Sequence, residues 1–161
     1  MADEALTLLK QREIEAKIVA PLIQAVREEI GEERALALLG RVIERLALDA
    51  GADLARQFGQ TSLEAFSACL GRWSQGGALE IRMIEQSPDR LDFDVTRCRY
   101  AEMYKALGLE KLGPSLSCVR DYTLAEGFNP DIRLTRTQTI MEGADHCDFR
   151  FRANSGEPPS S

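Results

Sequence analysis

Three of the four cysteines stand beside groups that can move protons or carry charge. Cys118 precedes Asp121 by three residues in SLSCVRDY, and Cys147 follows His146, the chain's one histidine, in ADHCDFRF. Cys98, in TRCRY, completes the set. A thiol acts as nucleophile or metal ligand only as the thiolate, so a nearby base or cation separates a reactive cysteine from a packed one. Asp121 lies one helical turn from Cys118 on the same face, a spacing that suits a nucleophile and its proton carrier. Neighbours on a regular strand point to opposite faces, so His146 can serve Cys147 only if the strand begins after it. Arg136, in RLTRTQT, reads either as part of a solvated strand face or as an inward clamp for a substrate carboxylate. Tyr122 beside Asp121 and Glu142 beside Gly143 are further candidate substrate contacts, although a polar turn at 142–145 needs such residues anyway. The cysteine spacings of 20 and 29 residues include no local C-x-x-C pair. Whether these thiols meet depends on the fold.

The elements that would position them begin with helices. Ala5, Leu8, Leu9, Ile14 and Ile18 recur at helical spacing, and Pro21 is expected to kink or break the segment near Ala20. Leu22, Ile23, Val26 and Ile30 continue the stripe to a stop at Gly31. A second helix carries Leu36, Leu38, Leu39, Val42, Ile43, Leu46 and Leu48, apolar enough for burial on more than one side. Thr61 and Glu64 are spaced as a capping box for a third, in which Cys69 reads as a small buried hydrophobe. The period then changes to two. Leu79, Ile81 and Met83, and Leu91, Phe93 and Val95, predict a hairpin over 79–86 and 90–97 about the SPDR turn. Cys98 opens a helix that runs to Gly108, and Pro114 begins another that Gly127 and Pro130 end. Two strands follow, about 131–140 and 147–152, with Cys147, Phe149 and Phe151 sharing a face. This is an α+β fold: N-terminal helices on a small antiparallel sheet, with β-β-α-α-β-β order in the C-terminal half. One domain is expected over 1–152, helical over 1–74 and sheet-containing over 75–152, with a disordered tail at 153–161.

Composition narrows the partners. A net charge of −6 leaves no basic stripe to replace phosphate counterions, which argues against nucleic acid. No apolar run approaches the ~20 residues of a membrane span. The charged N-terminal stretch MADEALTLLKQREIEAK fits neither an export signal nor an anchor, and four cysteines without such a signal suggest reduced thiols in the cytoplasm. The surplus apolar surface of the N-terminal helices suits a homodimer.

The C-terminal half resembles a known family. CRYAEMYKALGL, CVRDYTLAEGFNP and RTQTIMEGADHCDFRF, in that order, are similar to the L-2-amino-thiazoline-4-carboxylic acid hydrolase family. The specific match spans Cys98 to Arg152. The resemblance implies hydrolysis of a cyclic amidine, opening 2-aminothiazoline-4-carboxylate towards carbamoyl-cysteine on the way to cysteine. More distantly, Gly143, Cys147, Asp148 and Phe149 resemble the closing pattern of 4-vinyl-reductase-type domains, which bind small molecules and often hold zinc through cysteines. Those domains carry a further cysteine near the place where this chain has Thr137 and Thr139.

Three mechanisms follow for a small-molecule substrate. Zinc on Cys98, Cys118 and Cys147, with the fourth position open or filled by His146 or Asp121, would activate water, although all-thiolate ligation makes a poor Lewis acid. Alternatively, a thiolate attacks C2 of the amidine, with Cys118 and Asp121 as one candidate pair and Cys147 and His146 as the other. The third is a sensor or scavenger that binds without turnover.

Overall fold

The computed structural model describes residues 5–154. Two long antiparallel helices open it, α1 (Leu8–Ile30) and α2 (Glu32–Phe58), reversed at Gly31, whose φ of 87° favours glycine. Thr7 caps α1 by accepting the Lys10 N–H at 3.2 Å. Contrary to the expected break, α1 runs through Pro21. Pro21 and Lys17 are both exposed, so water can satisfy the Lys17 carbonyl that loses its helical donor.

Burial also follows a different stripe from the one that the larger side chains suggest. On α1 the buried residues are Ala16 and Ile23, while Ile14, Ile18 and Leu22 are exposed. On α2 the buried line is Ala35, Leu39, Ile43, Ala47, Gly51 and Leu54, and Leu38, Val42 and Leu46 are exposed. Small residues face inward because the neighbouring helix comes close. A Cβ on Gly51 would lie 2.1 Å from the Leu124 carbonyl oxygen, and one on Gly127 would lie 2.0 Å from that of Leu48. Gly127 therefore serves close packing rather than ending its helix, which runs on to Phe128.

Two short helices follow, α3 (Leu63–Ser67) and α4 (Cys69–Trp73). Ser62, not Thr61, caps α3, accepting from Ala65 N–H. The predicted hairpin is present as β1 (Leu79–Gln86) and β2 (Arg90–Cys98), and β4 (Cys147–Ala153) and β3 (Ile132–Thr135) complete an antiparallel sheet in the order β1-β2-β4-β3. Between the pairs lie α5 (Arg99–Ala106), a π-helical turn (Pro114–Cys118) and α6 (Arg120–Phe128). The α+β class and its β-β-α-α-β-β order thus stand as expected. β3 is shorter than predicted, because the chain leaves the sheet after Thr135 for a loop with one 3-10 turn at Ile140–Glu142. β1 buries less than its alternation suggests: it is an edge strand with register shifts, and Met83 is exposed. Ala153, assigned above to the tail, closes β4, and residues 155–161 of that expected tail lie outside the described residues.

The helix-facing side of the sheet is aromatic. Phe93 stacks on Phe149 at 4.9 Å, and Phe151 packs against Phe66 at 5.1 Å. Such pairs contribute about 0.5–1.5 kcal/mol each beyond area burial. The opposite face is ionic. Asp92 is bonded to Arg152, and Asp94 to Arg150 at 2.9 Å and Arg82 at 2.5 Å. Cys69 is buried as expected, and burial pushes its thiol up to about 11.

Candidate functional site

The three cysteines reach one chamber from three directions. Cys98 ends β2 and caps α5, its sulfur accepting the Ala101 N–H at 3.4 Å. Cys118 ends the π-helical turn, just before α6 carries Asp121 in its first turn. Cys147 opens β4 opposite Val95, its sulfur accepting the Ile140 N–H at 3.2 Å. All three, with Asp121 and Arg136, line a cavity of about 100 Å3 between the helices and the sheet. A larger cavity of about 490 Å3 adjoins it, and Leu8, Arg12, Ala50, Trp73, Arg120 and Leu124 line both.

Arg136 organises one wall. Its side chain is 5% exposed and donates through Nη1 to Asp121 at 2.6 Å and through Nη2 to the Cys118 carbonyl at 3.1 Å. Its guanidinium carbon also lies 4.9 Å from the centroid of Phe149 and 5.1 Å from that of Tyr122. Burial pushes the Asp121 carboxyl above the ordinary carboxylate range, outweighing the nearby Arg136. The 23% of its side chain that remains accessible belongs to a residue lining the chamber. Burial likewise raises all three thiols, Cys98 to about 11, with Asp121 opposing ionisation further at Cys118. The resting thiols are therefore neutral, and one that reacts must give up its proton to a base as it attacks.

The other sequence candidates lie outside the chamber lining. Although β4 does begin after His146, its ring is held away by Asp145, 2.5 Å from Nδ1, and by Gln138. Glu142 accepts from the Thr139 hydroxyl at 2.8 Å and closes the 3-10 turn. Tyr122 is 40% exposed and covers the outer face of Arg136. The DHCDF stretch owes its pattern to three separate duties. Cys147 faces the chamber, Phe149 packs beneath Arg136, and Asp148 accepts from both Thr137 N–H and Gln138 N–H at 2.9 Å. Burial works against the Asp148 carboxylate, but these bonds outweigh it and hold its pKa below the ordinary value.

Residue types alone did not single out Arg12, Arg120 or Glu15. Arg12 donates to both Glu15 oxygens, at 3.0 and 2.9 Å, and Arg120 approaches Glu15 at 3.4 Å. Arg12 stands four residues before Ala16, on the buried stripe of α1, which the larger apolar residues of that helix do not mark.

The donor set does not fit zinc. Asp121, one candidate for the fourth ligand, is paired with Arg136. Among the described residues, no three histidine, cysteine, aspartate or glutamate side chains converge to hold a metal ion. Nor is any described helix long and apolar enough to cross a membrane.

The sequence model of the L-2-amino-thiazoline-4-carboxylic acid hydrolase family matches residues 11–151. No curated protein matches the chain. Among solved structures, trafficking protein particle complex subunit 3 from Naegleria fowleri, covalently bound to palmitic acid, is 10% identical. That match covers 90% of this chain and 96% of the other, with a TM-score of 0.53, a likeness of fold. The phenol-responsive sensory domain of the transcription activator PoxR, with phenol, is 12% identical over 84% of this chain and 73% of its own, with a TM-score of 0.47.

Proposed function

The chain belongs to the L-2-amino-thiazoline-4-carboxylic acid hydrolase family, and from that premise we propose that it hydrolyses a C–N bond of a small cyclic amidine such as 2-aminothiazoline-4-carboxylate, with Cys118 as nucleophile. The observation that carries this reading is the arrangement of a thiol, a desolvated carboxylate and a guanidinium around one chamber sized for a small ring.

Cys118 is preferred over Cys147 and Cys98 because Asp121 follows it by one turn, which gives it a carboxylate to take its proton. In the proposed sequence, Asp121 takes the Cys118 proton as the sulfur attacks C2. The C2–N3 bond then breaks, and N3 leaves as the amine after taking that proton from Asp121. Water adds to C2 of the resulting dithiocarbonimidate and gives up a proton as the carbon–sulfur bond to Cys118 breaks. The thiol regains its proton, so the net change is addition of one water to the substrate. A carboxyl with a raised pKa suits a group that must both accept and return a proton. Arg136 holds Asp121 in position and, by its bond to the Cys118 carbonyl, ties the two residues together.

The test is turnover of L-2-amino-2-thiazoline-4-carboxylate, followed by mass spectrometry of small molecules and of acid-quenched protein. A ring-opened product and a covalent adduct mapped to Cys118, both lost in Cys118→Ala, support the proposal. An adduct on Cys147 would reassign the nucleophile. Saturable binding without product would favour the sensor or scavenger reading instead.

A further inference from the structure

The chamber is lined by three guanidinia, those of Arg12, Arg120 and Arg136, and one carboxylate, that of Asp121. Such a surplus of positive charge in a desolvated space is costly unless an anion offsets it. Arg136 is poorly placed to receive that anion. Both its ends are bonded, Nη1 to Asp121 and Nη2 to the Cys118 carbonyl, and it lies against the rings of Phe149 and Tyr122.

Arg12 and Arg120 are differently arranged. They come from α1 and α6, line both the chamber and the larger cavity, and are only 13% and 14% exposed. The Arg120 Nε donates to the Leu116 carbonyl at 2.7 Å, which fixes the plane of its guanidinium. Between the two arginines lies the Glu15 carboxylate, bonded tightly to Arg12 and loosely, at 3.4 Å, to Arg120. Glu15 is 36% exposed, and Gln11 also donates to it at 3.1 Å, so it can retreat from the pair and keep a partner.

We infer that Arg12 and Arg120 form the carboxylate receptor of the chamber, and that Glu15 is the internal anion which an incoming carboxylate displaces. The receptor sits where the two cavities join, so a substrate entering from the larger one would meet it before its ring reaches Cys118. This rests on the reading that the chamber takes a small amidine. It adds that the substrate must carry an acidic group, and that Arg136 is not the residue that reads it. Planar guanidinia suit this task because they bind a carboxylate through paired hydrogen bonds.

The experiment uses probes that cannot be hydrolysed at an amidine carbon: thiazolidine-4-carboxylate and thiazolidine, which lacks the carboxylate. Calorimetry gives the ratio of their affinities for the full chain, for Arg12→Gln and for Glu15→Gln. A ratio cancels general damage to the chamber, and the partly exposed Glu15 supplies a variant that should fold even if Arg12→Gln does not. The wild-type chain should prefer the carboxylate by about ten- to a hundred-fold, the worth of charged hydrogen bonds. Arg12→Gln should bring the ratio towards one, and Glu15→Gln should raise it. A wild-type ratio near one, or a ratio that neither substitution moves, overturns the inference. Turnover of aminothiazoline carboxylate is scored separately. A strong, variant-sensitive ratio without turnover leaves the receptor standing while the hydrolase proposal fails; turnover with a ratio near one does the reverse.

Discussion

Replacing Arg136 with methionine isolates what the buried ion pair does. Methionine keeps much of the apolar stem against Phe149 but removes the charge that faces Asp121 at 2.6 Å. Two losses follow, with different pH dependence. The cation–π contacts and the bond to the Cys118 carbonyl are lost at every pH, a cost of about 1–3 kcal/mol. The second loss depends on whether Asp121 is ionised. Burial already places its folded pKa above its unfolded value, so its contribution to stability is fully present below the unfolded pKa and is lost as pH rises through the folded one. Arg136 is the largest influence opposing that rise. Without it the folded pKa climbs further, and each added unit costs about 1.36 kcal/mol once the pH exceeds it. Both losses together come to about 3–5 kcal/mol where the remaining carboxylate stays charged, the usual cost of removing one partner of a buried pair. Arg136→Met should therefore be about 3–5 kcal/mol less stable than the wild type at pH 8 and about 1–3 kcal/mol less stable at pH 5. Urea unfolding at the two pH values measures the difference, and adding Asp121→Asn should remove most of its pH dependence. An equal loss at both pH values, or a larger one in acid, would show that the Asp121 charge does not govern the site.

Further outcomes concern the helix packing and the thiols. Gly51→Ala should lower the urea midpoint by the equivalent of at least about 3 kcal/mol, because its methyl meets backbone of α6 that cannot step aside, whereas Gly40→Ala, in open space on the same helix, should raise stability by about 0.5–1 kcal/mol. Iodoacetamide should alkylate the native thiols slowly at neutral pH and faster as pH rises towards 11, since burial lifts them all; in the alkaline range, where Cys118 loses its proton to solvent rather than to Asp121, Asp121→Asn should speed its alkylation by removing a charge that opposes the thiolate, and peptide mapping that shows no such gain would separate the two residues.

Local pattern revealed what depends on local geometry. The hairpin bounds over 79–86 and 90–97 were readable because alternation and the SPDR turn act within one short segment. α1 misled because it carries two stripes. Size drew attention to Ile14 and Ile18, while close packing buried Ala16, and water made Pro21 tolerable on the exposed side. That Cys98, Cys118 and Cys147 share a chamber required β2, the π-helical turn and β4 to be placed in space, which no spacing in the chain encodes. His146 and Cys147, adjacent in sequence, part because the strand begins between them. Arg12 and Arg120 went unread because arginines on a charged helix ordinarily face solvent.

β2 leaves little room for an error in folding. Leu91, Phe93 and Val95 face the aromatic core while Asp92 and Asp94, buried on the other side, are matched to arginines of β1 and β4. A slip of one residue would turn two carboxylates into an apolar interior and three large hydrophobes into an ionic layer. Neither side could absorb the exchange, since each carboxylate would lose its partners and each hydrophobe its cover. The cost of a mispaired strand is therefore counted on both faces at once. Such a strand proofreads its own pairing, and the position of Cys147 opposite Val95 inherits that fidelity.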